Sequence, residues 1–418
     1  MNERNILCID LKSFFASCEC IERGLDPFKT PLVVADTRHG NGAITLAVTP
    51  YLKKFGVKSR GRCYELPKNI KIIYAMPRMN LYLKKSKEIV GIYLNYVHKD
   101  DVHVYSIDEA FLDVTDYLKL YKKTDVELAK CILNEIKEKT SLTATCGIGP
   151  NMLLAKVAMD IEAKHNENNM AKWTYDDVKT KLHSITPLSE MWGIGKRLEA
   201  KLNNLGIYKI GDINKYSKDF YKKRFGIIGE ELYMHANGID DSKVKDYNNI
   251  MPKNKSYGLS QVLYKDYNTE NTKLIIKEMC SCLARRLRSN KKTTSEIGFG
   301  IVYSKEINKY FYHSRKLNSK IDDENDIYNE CLSIYENYVE DLPIRKVMIS
   351  LSKLEDKKYI QLSLFNDFKE VKANNNYYNA IDEIQKKFGD NSLLKASSLL
   401  ENSTIKIRNT KVGGHNKE

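Results

Sequence analysis

A multidomain α+β protein is what this chain of 418 residues predicts. Three observations carry the expectation. Asn5-Ile-Leu-Cys-Ile-Asp10 is a short apolar run ending in a carboxylate, as in a buried central strand. Tyr105–Val114 is rich in strand formers yet is interrupted by two adjacent acids, Asp108 and Glu109. Beyond residue 165 an all-helical stretch gives way to a region that alternates strands and helices.

Taken in order, residues 1–25 and 75–165 read as one α/β region. Its parts are the first strand, the hairpin around Tyr105–Val114, a helix over Asp125–Thr140 and a strand over Leu142–Gly147, assembling a sheet with helices on one face. Residues 26–74 interrupt it with Gly40-Asn-Gly42 and a basic cluster of Lys53, Lys54, Lys58, Arg60 and Arg62. A helix begins near Pro150, with Asn151 placed to cap it. Lys156, Asp160 and Lys164 follow at i, i+4 and i+8, a row that by itself reads as a solvated helix face.

Residues 166–240 predict helices, with Gly193-Ile-Gly195-Lys196 as the turn of a helix-hairpin-helix whose glycines let backbone N–H groups approach phosphate. Lysine-rich residues 241–256 read as a linker. Residues 257–355 predict a small α+β module: a helix over Ile275–Leu287 ending in Arg285, Arg286 and Arg288, and strands over Glu296–Tyr303 and Val347–Leu354. In the tail, 356–418, Ile381, Ile384 and Phe388 share one helical face that either docks back or meets a partner.

Two adjacent carboxylates repel and are costly to desolvate without cations. If the strand ending at Asp10 neighbours the hairpin, Asp10, Asp108 and Glu109 converge at one sheet edge. Three carboxylates suffice for two Mg²⁺ ions about 3.5–4 Å apart, the spacing that suits in-line phosphoryl displacement. The competing reading is a solvated hairpin tip.

Lys and Arg total 68 against 54 Asp and Glu, a formal charge of +14 with a pI near 9.1. A basic body around an acidic site suits a partner with a phosphate backbone. No apolar run reaches the roughly 18–20 residues needed to cross a bilayer, and the N-terminus has no signal-peptide core. The nine cysteines lack zinc-ligand spacing and read as reduced thiols of a cytoplasmic protein without membrane contact.

Ile9-Asp-Leu-Lys-Ser-Phe-Phe-Ala-Ser17 and Tyr105-Ser-Ile-Asp-Glu-Ala-Phe-Leu-Asp113 resemble the two catalytic motifs of Y-family translesion DNA polymerases of the UmuC/DinB type. Thr45–Val57 is similar to the family's finger segment and Met191-Trp-Gly-Ile-Gly195 to its thumb signature, so the likeness runs in order from residue 5 to about 365. The resemblance implies a right-hand polymerase: palm (1–25 and 75–165), fingers (26–74), helical thumb (166–240), linker (241–256), little finger (257–355) and a C-terminal tail.

It implies low-fidelity, template-directed synthesis past damaged DNA, within DNA repair and SOS mutagenesis. In such a reaction a primer 3′-OH attacks the α-phosphate of a dNTP at two Mg²⁺ ions. Asp10, Asp108, Glu109 and the Leu11 carbonyl become the metal ligands. Phe14, Phe15, Tyr51, Lys53 and Lys164 become nucleotide contacts, Phe15 as the steric gate against ribose. Relatives commonly carry Tyr-x-x-Arg where this chain has Pro50-Tyr-Leu-Lys53, a departure that touches the tyrosine contact.

Gly193, Gly195, Lys196, Arg285, Arg286 and Arg288 become contacts to primer–template DNA. Gln361, Leu362, Leu364 and Phe365 resemble the peptide by which bacterial polymerases hook onto the sliding clamp. Accessory mutagenesis or recombinase proteins are further expected partners. A non-catalytic DNA-binding or recruitment factor, and another palm-type nucleotidyltransferase such as a nucleotide cyclase, are the alternatives.

Overall fold

The computed structural model describes residues 4–249, 255–357 and 368–418, and the chain divides into two units, Met1–Ile250 with His415–Glu418 and Met251–Gly414. The first unit runs β1 (Ile6–Leu11), α1 (Phe14–Ile21), β2 (Leu32–Ala35), β3 (Thr45–Val48), α2 (Pro50–Lys53), β4 (Ile73–Ala75) and α3 (Met79–Tyr93). It continues through β5 (Val102–Val104), β6 (Glu109–Asp113), α4 (Tyr117–Tyr121), α5 (Asp125–Thr140), β7 (Ala144–Gly149), α6 (Met152–Ala158) and β8 (Met170–Lys172).

Five of these strands form the main sheet, in the order β5-β6-β1-β7-β8. The apolar run at residues 6–11 is its centre, paired antiparallel to both β6 and β7. Leu7, Ile9 and Leu11 face a core shared with α1, α3 and α5. Ile6, Cys8 and Phe111 face the other way, against Met152, Ala155 and Met159. Helices therefore cover both faces, not one as the sequence pattern suggested. Gly147 and Gly149 explain the second layer: a Cβ on Gly147 would stand 2.0 Å from the Ala155 carbonyl oxygen, and one on Gly149 would stand 2.5 Å from the Ala155 nitrogen. Only bare backbone lets α6 lie this close to the sheet.

The interrupting segment folds as a small three-stranded sheet, β3-β2-β4, around Val33, Val48 and Leu52. After β8 come α7 (Asp177–Thr180), α8 (Lys196–Asn203), α9 (Lys218–Phe225) and α10 (Ile227–Ala236), packed around Trp173, Leu182, Leu202 and Tyr221. The residues before the glycine turn are not one helix. They form α7 and two single 3₁₀ turns, Leu182–Ser184 and Leu188–Glu190, because Pro187 lacks the N–H that a continuous helix needs. Part of the expected linker is also ordered: α11 (Val244–Asn249) buries Val244 and stacks Tyr247 on His103 of β5, with ring centroids 4.5 Å apart.

The second unit contains β9 (Tyr257–Tyr267), α12 (Thr269–Ser289), β10 (Lys292–Tyr303), β11 (Tyr310–Ile321), α13 (Glu324–Tyr338), β12 (Ile344–Ser352), β13 (Glu355–Asp356), α14 (Phe368–Phe388) and α15 (Ile405–Asn409). Its main sheet, β11-β10-β12-β9, packs one face on α12 and α13. Val262, Tyr264, Tyr310 and Tyr312 are exposed on its strands. The tail docks back onto α12 through polar contacts, while Ile384 and Phe388 of its apolar face stay exposed. Arg288 takes Asp382 through two hydrogen bonds of 2.9 and 3.1 Å, Arg285 pairs with Asp390 at 2.9 Å, and Arg408 donates to the Glu278 carbonyl at 3.0 Å. Gln361, Leu362, Leu364 and Phe365 lie outside the described residues.

Candidate active site

The register of β1 against β6 sets Asp10 directly opposite Glu109. Cross-strand partners send their side chains to the same face, here the face that α6 covers. Asp108 ends the loop before β6, where its carbonyl accepts the Leu11 N–H at 3.0 Å. The three acids therefore meet at the end of the two central strands, as the strand-neighbour argument required.

Their carboxylates do not share a single cage. Among the described residues no group of three His, Cys, Asp or Glu side chains is close enough together to hold a metal. Asp108 and Glu109 take separate donors. Ser106 Oγ donates to Asp108 at 2.6 Å, the Cys8 thiol donates to Glu109 at 3.4 Å, and Lys156 Nζ lies 2.8 Å from Glu109. Mutual repulsion of carboxylates in a protein interior accounts for this dispersal. The strain shows at Asp10, whose carboxyl is pushed up from 3.8 to about 6. Burial is the main cause; Lys164 opposes it, and the charges of Asp108 and Glu109 add to it. Hard carboxylate oxygens gathered at one end of the sheet, with Asp10 buried enough to resist ionisation, fit a divalent cation such as Mg²⁺.

The row Lys156, Asp160, Lys164 is no solvated face. Lys156 is only 7% exposed and also reaches Asp160 at 3.1 Å. Burial works against its charge, but Cys8, Asp160 and Glu109 together hold its pKa above the ordinary lysine value. Lys164 lies 2.8 Å from Asp160 and 3.6 Å from Asp10. A single π turn, Met159–Ala163, carries Asp160 and ends with the Lys164 N–H donating to the Met159 carbonyl at 3.1 Å. Such turns collect at functional sites. Sequence reasoning missed Lys156 and Ser106. The pair Gly147 and Gly149 was the available signal, since glycines inside a strand mark a close approach of backbone.

From the smaller sheet, α2 presents Lys53, an exposed side chain whose pKa lies below the usual value. The surrounding protein mass is the main cause, Asp10 opposes it and Lys164 adds to it. Lys164 stands beside Asp10, and Lys53 is near enough to feel the charge of both. Tyr51 is half-buried, its ring 5.1 Å from Phe55. Phe14 is sunk in the main core at 3% exposure, which leaves Phe15 as the ring available to a ligand. Phe15 stacks on Tyr82 with centroids 4.4 Å apart, and the Tyr82 hydroxyl donates to buried Glu19 at 2.7 Å. Arg78 clamps the same carboxylate at 2.8 and 3.0 Å, so the ring rests on a fixed support.

Gly193 adopts φ +90°, a conformation a side chain disfavours, and Gly195 caps α8. Lys196 is exposed and donates to Ser189 Oγ at 2.8 Å. Trp192 ties this turn to the segment that carries Asp108 and Glu109: its ring packs on Phe111, and Nε1 donates to the Tyr105 hydroxyl at 3.3 Å. Two of the expected DNA contacts have acidic partners of their own. Arg285 and Arg288 are spent on Asp390 and Asp382 of the tail, so their guanidinium groups are engaged within the unit. Arg286 stays exposed, with its guanidinium 4.1 Å from the Tyr257 ring centroid.

A mixed sheet with acids at the paired ends of β1 and β6, a lysine beside them and a glycine-turned helical module define a palm-type nucleotidyltransferase. Comparison with known proteins narrows this. Residues 9–160 match the impB/mucB/samB family, 175–207 the HHH motif of the IMS family, and 254–364 the impB/mucB/samB C-terminal domain. The chain is 38% identical to UvrX of Bacillus subtilis (strain 168) over 415 residues, covering 99% of this chain and 97% of that one. It is 32% identical to DNA polymerase IV 2 of the same organism over 425 residues, with complete coverage of both. Its fold is similar to that of a Y-family DNA polymerase chimera of Dbh and Dpo4, with a TM-score of 0.67 at 24% identity, covering 84% of this chain and 99% of that one. The chain belongs to the impB/mucB/samB family and is a DNA polymerase that acts on primer–template DNA and dNTPs. The recruitment factor and the cyclase are thereby set aside.

Proposed function

We propose that this polymerase copies past damaged template bases, joining the α-phosphate of a dNTP to a primer 3′-OH at a site built from Asp10, Asp108 and Glu109. The observation that carries the reading is the Asp10–Glu109 cross-strand pair with Lys164 beside it. Two Mg²⁺ ions, when bound, would supply charge stabilisation for the attacking and leaving oxygens. Asp10, Asp108, Glu109 and the Leu11 carbonyl would hold them. Lys53 and Lys164 would neutralise the triphosphate, Tyr51 would lie along it, and Phe15 would sit beneath the sugar and exclude a 2′-hydroxyl.

Gly193, Gly195 and Lys196 would grip the duplex through phosphate, a contact that carries no base preference. Arg286 would contribute from the second unit. Gln361, Leu362, Leu364 and Phe365 would tether the enzyme to a sliding clamp in the cytoplasm, and SOS-linked accessory proteins would be further partners. No helix among the described residues is long and apolar enough to cross a membrane. Primer extension with each dNTP, on an undamaged template and on one with an abasic site, tests the reading. Insertion opposite the abasic site supports it. A polymerase that extends only the undamaged template contradicts it.

A further inference from the structure

Lys156 has no part in the reading above, yet its position is costly to build. It projects from α6 among Met152, Ala155 and Met159, which face the sheet, where a leucine or methionine would pack without charge. Its Nζ stands 2.8 Å from both carboxylate oxygens of Glu109, itself 8% exposed. The same nitrogen lies 3.1 Å from Asp160 Oδ2. Asp160 in turn takes Lys164 at 2.8 Å, and Lys164 reaches Asp10 at 3.6 Å. Acid, lysine, acid, lysine and acid thus form a ladder from Glu109 to Asp10.

A carboxylate buried without a counter-charge is strongly destabilising. Lys156 is the cation that supplies it at Glu109 here. The ammonium is under the same constraint: if Glu109 turned away, Lys156 would need another acceptor within reach. Asp160 is already there. We propose that Lys156 is a positioning residue that neutralises and orients Glu109 in the metal-free site and releases it to an arriving divalent cation, while Asp160 retains the freed ammonium. The proposal rests on the reading that Asp10, Asp108 and Glu109 hold those cations.

The test uses the full chain and Ca²⁺ as the probe, with melting temperature as the readout, in EDTA and across a Ca²⁺ titration. The proteins are wild type, Lys156→Met and Lys156→Met/Glu109→Gln. Lys156→Met should melt lower in EDTA, because Glu109 loses its counter-charge. It should also bind Ca²⁺ about tenfold more tightly, because the competing ammonium is gone. Adding Glu109→Gln should restore the melting temperature in EDTA and abolish the gain in Ca²⁺ affinity; this second variant carries the test if Lys156→Met alone does not fold. Wild-type Ca²⁺ affinity in Lys156→Met would overturn the proposal alone. So would a loss of stability that Glu109→Gln does not relieve, which would make Lys156 a packing residue. No Ca²⁺ response in wild type would overturn the metal-site reading together with the proposal.

Discussion

Replacing Asp10 with Asn should make the metal-free protein more stable at neutral pH, although it removes the reaction's central acid. Asp10 titrates at about 6 in the folded chain against 3.8 when free, chiefly because it is buried. A carboxyl raised in this way is harder to ionise folded than unfolded, so stability falls as pH climbs from 3.8 through about 6 and then levels off. At about 1.4 kcal/mol per pH unit, that span makes the charge cost about 3 kcal/mol above pH 7 and roughly half of that at pH 5. The attraction of Lys164 at 3.6 Å is already included, since it is one of the causes that set the value. Asn resembles the protonated acid and carries no charge to desolvate.

The assay is urea unfolding in EDTA at pH 8 and pH 5, followed by tryptophan fluorescence. Both tryptophans, Trp173 and Trp192, lie in the first unit, so the signal reports the unit that contains Asp10. Asp10→Asn should gain about 3 kcal/mol at pH 8 and about half as much at pH 5. Equal stability of the two proteins at pH 8, or a gain that does not shrink on acidification, would refute the argument that burial strains this carboxylate.

Phe15→Ala should admit ribonucleotides far more readily, because it deletes the ring that stacks on Tyr82; a folded, active variant with unchanged dNTP-over-rNTP selectivity would remove Phe15 from the gate. Leu364→Ala with Phe365→Ala should abolish stimulation by a loaded sliding clamp, each anchor being worth roughly 1–2 kcal/mol, while leaving extension on short primers intact. Stimulation equal to wild type would place the tether elsewhere. Arg288→Ala should destabilise the second unit by about 2 kcal/mol, because it leaves Asp382 unpaired, with little change in DNA affinity, whereas Arg286→Ala should weaken DNA binding and leave stability unchanged. The reverse pattern, measured by thermal melting and by salt-dependent binding, would restore Arg288 to the DNA surface.

Much of the first unit was legible because its local signals agree. The helix at Asp125–Thr140 was readable to its ends: Thr124 and Glu127 form a capping box and Ser141 turns left-handed after it. Asn151 caps α6 by accepting the Leu154 N–H at 2.8 Å. Asp10 and the Asp108–Glu109 pair stood out because an acid inside an apolar strand pattern conflicts with burial unless something compensates. What escaped sequence reasoning depends on partners far along the chain. A lysine at an i, i+4 position looks the same whether it faces water or Glu109, and only the close approach at Gly147 and Gly149 decides it for Lys156. Arg285 and Arg288 looked free because Asp390 and Asp382 lie 105 and 94 residues away. The helix α11 was hidden in a lysine- and asparagine-rich stretch, since Val244 and Tyr247 gain their burial and stacking only from the edge of a sheet formed by distant residues.

Asp10, Asp108 and Glu109 carry the proposed chemistry, and one measurement reaches these acids most directly. Single-nucleotide primer extension should be run at saturating Mg²⁺ for wild type, Asp108→Ala and Glu109→Ala, with primer–template affinity measured alongside. Loss of either acid should remove several kcal/mol of transition-state stabilisation, a fall in rate of about a thousandfold or more, while DNA binds nearly as before. Near-wild-type addition by either variant would contradict the site; lost activity accompanied by lost DNA binding would show that these acids support the fold and not the chemistry.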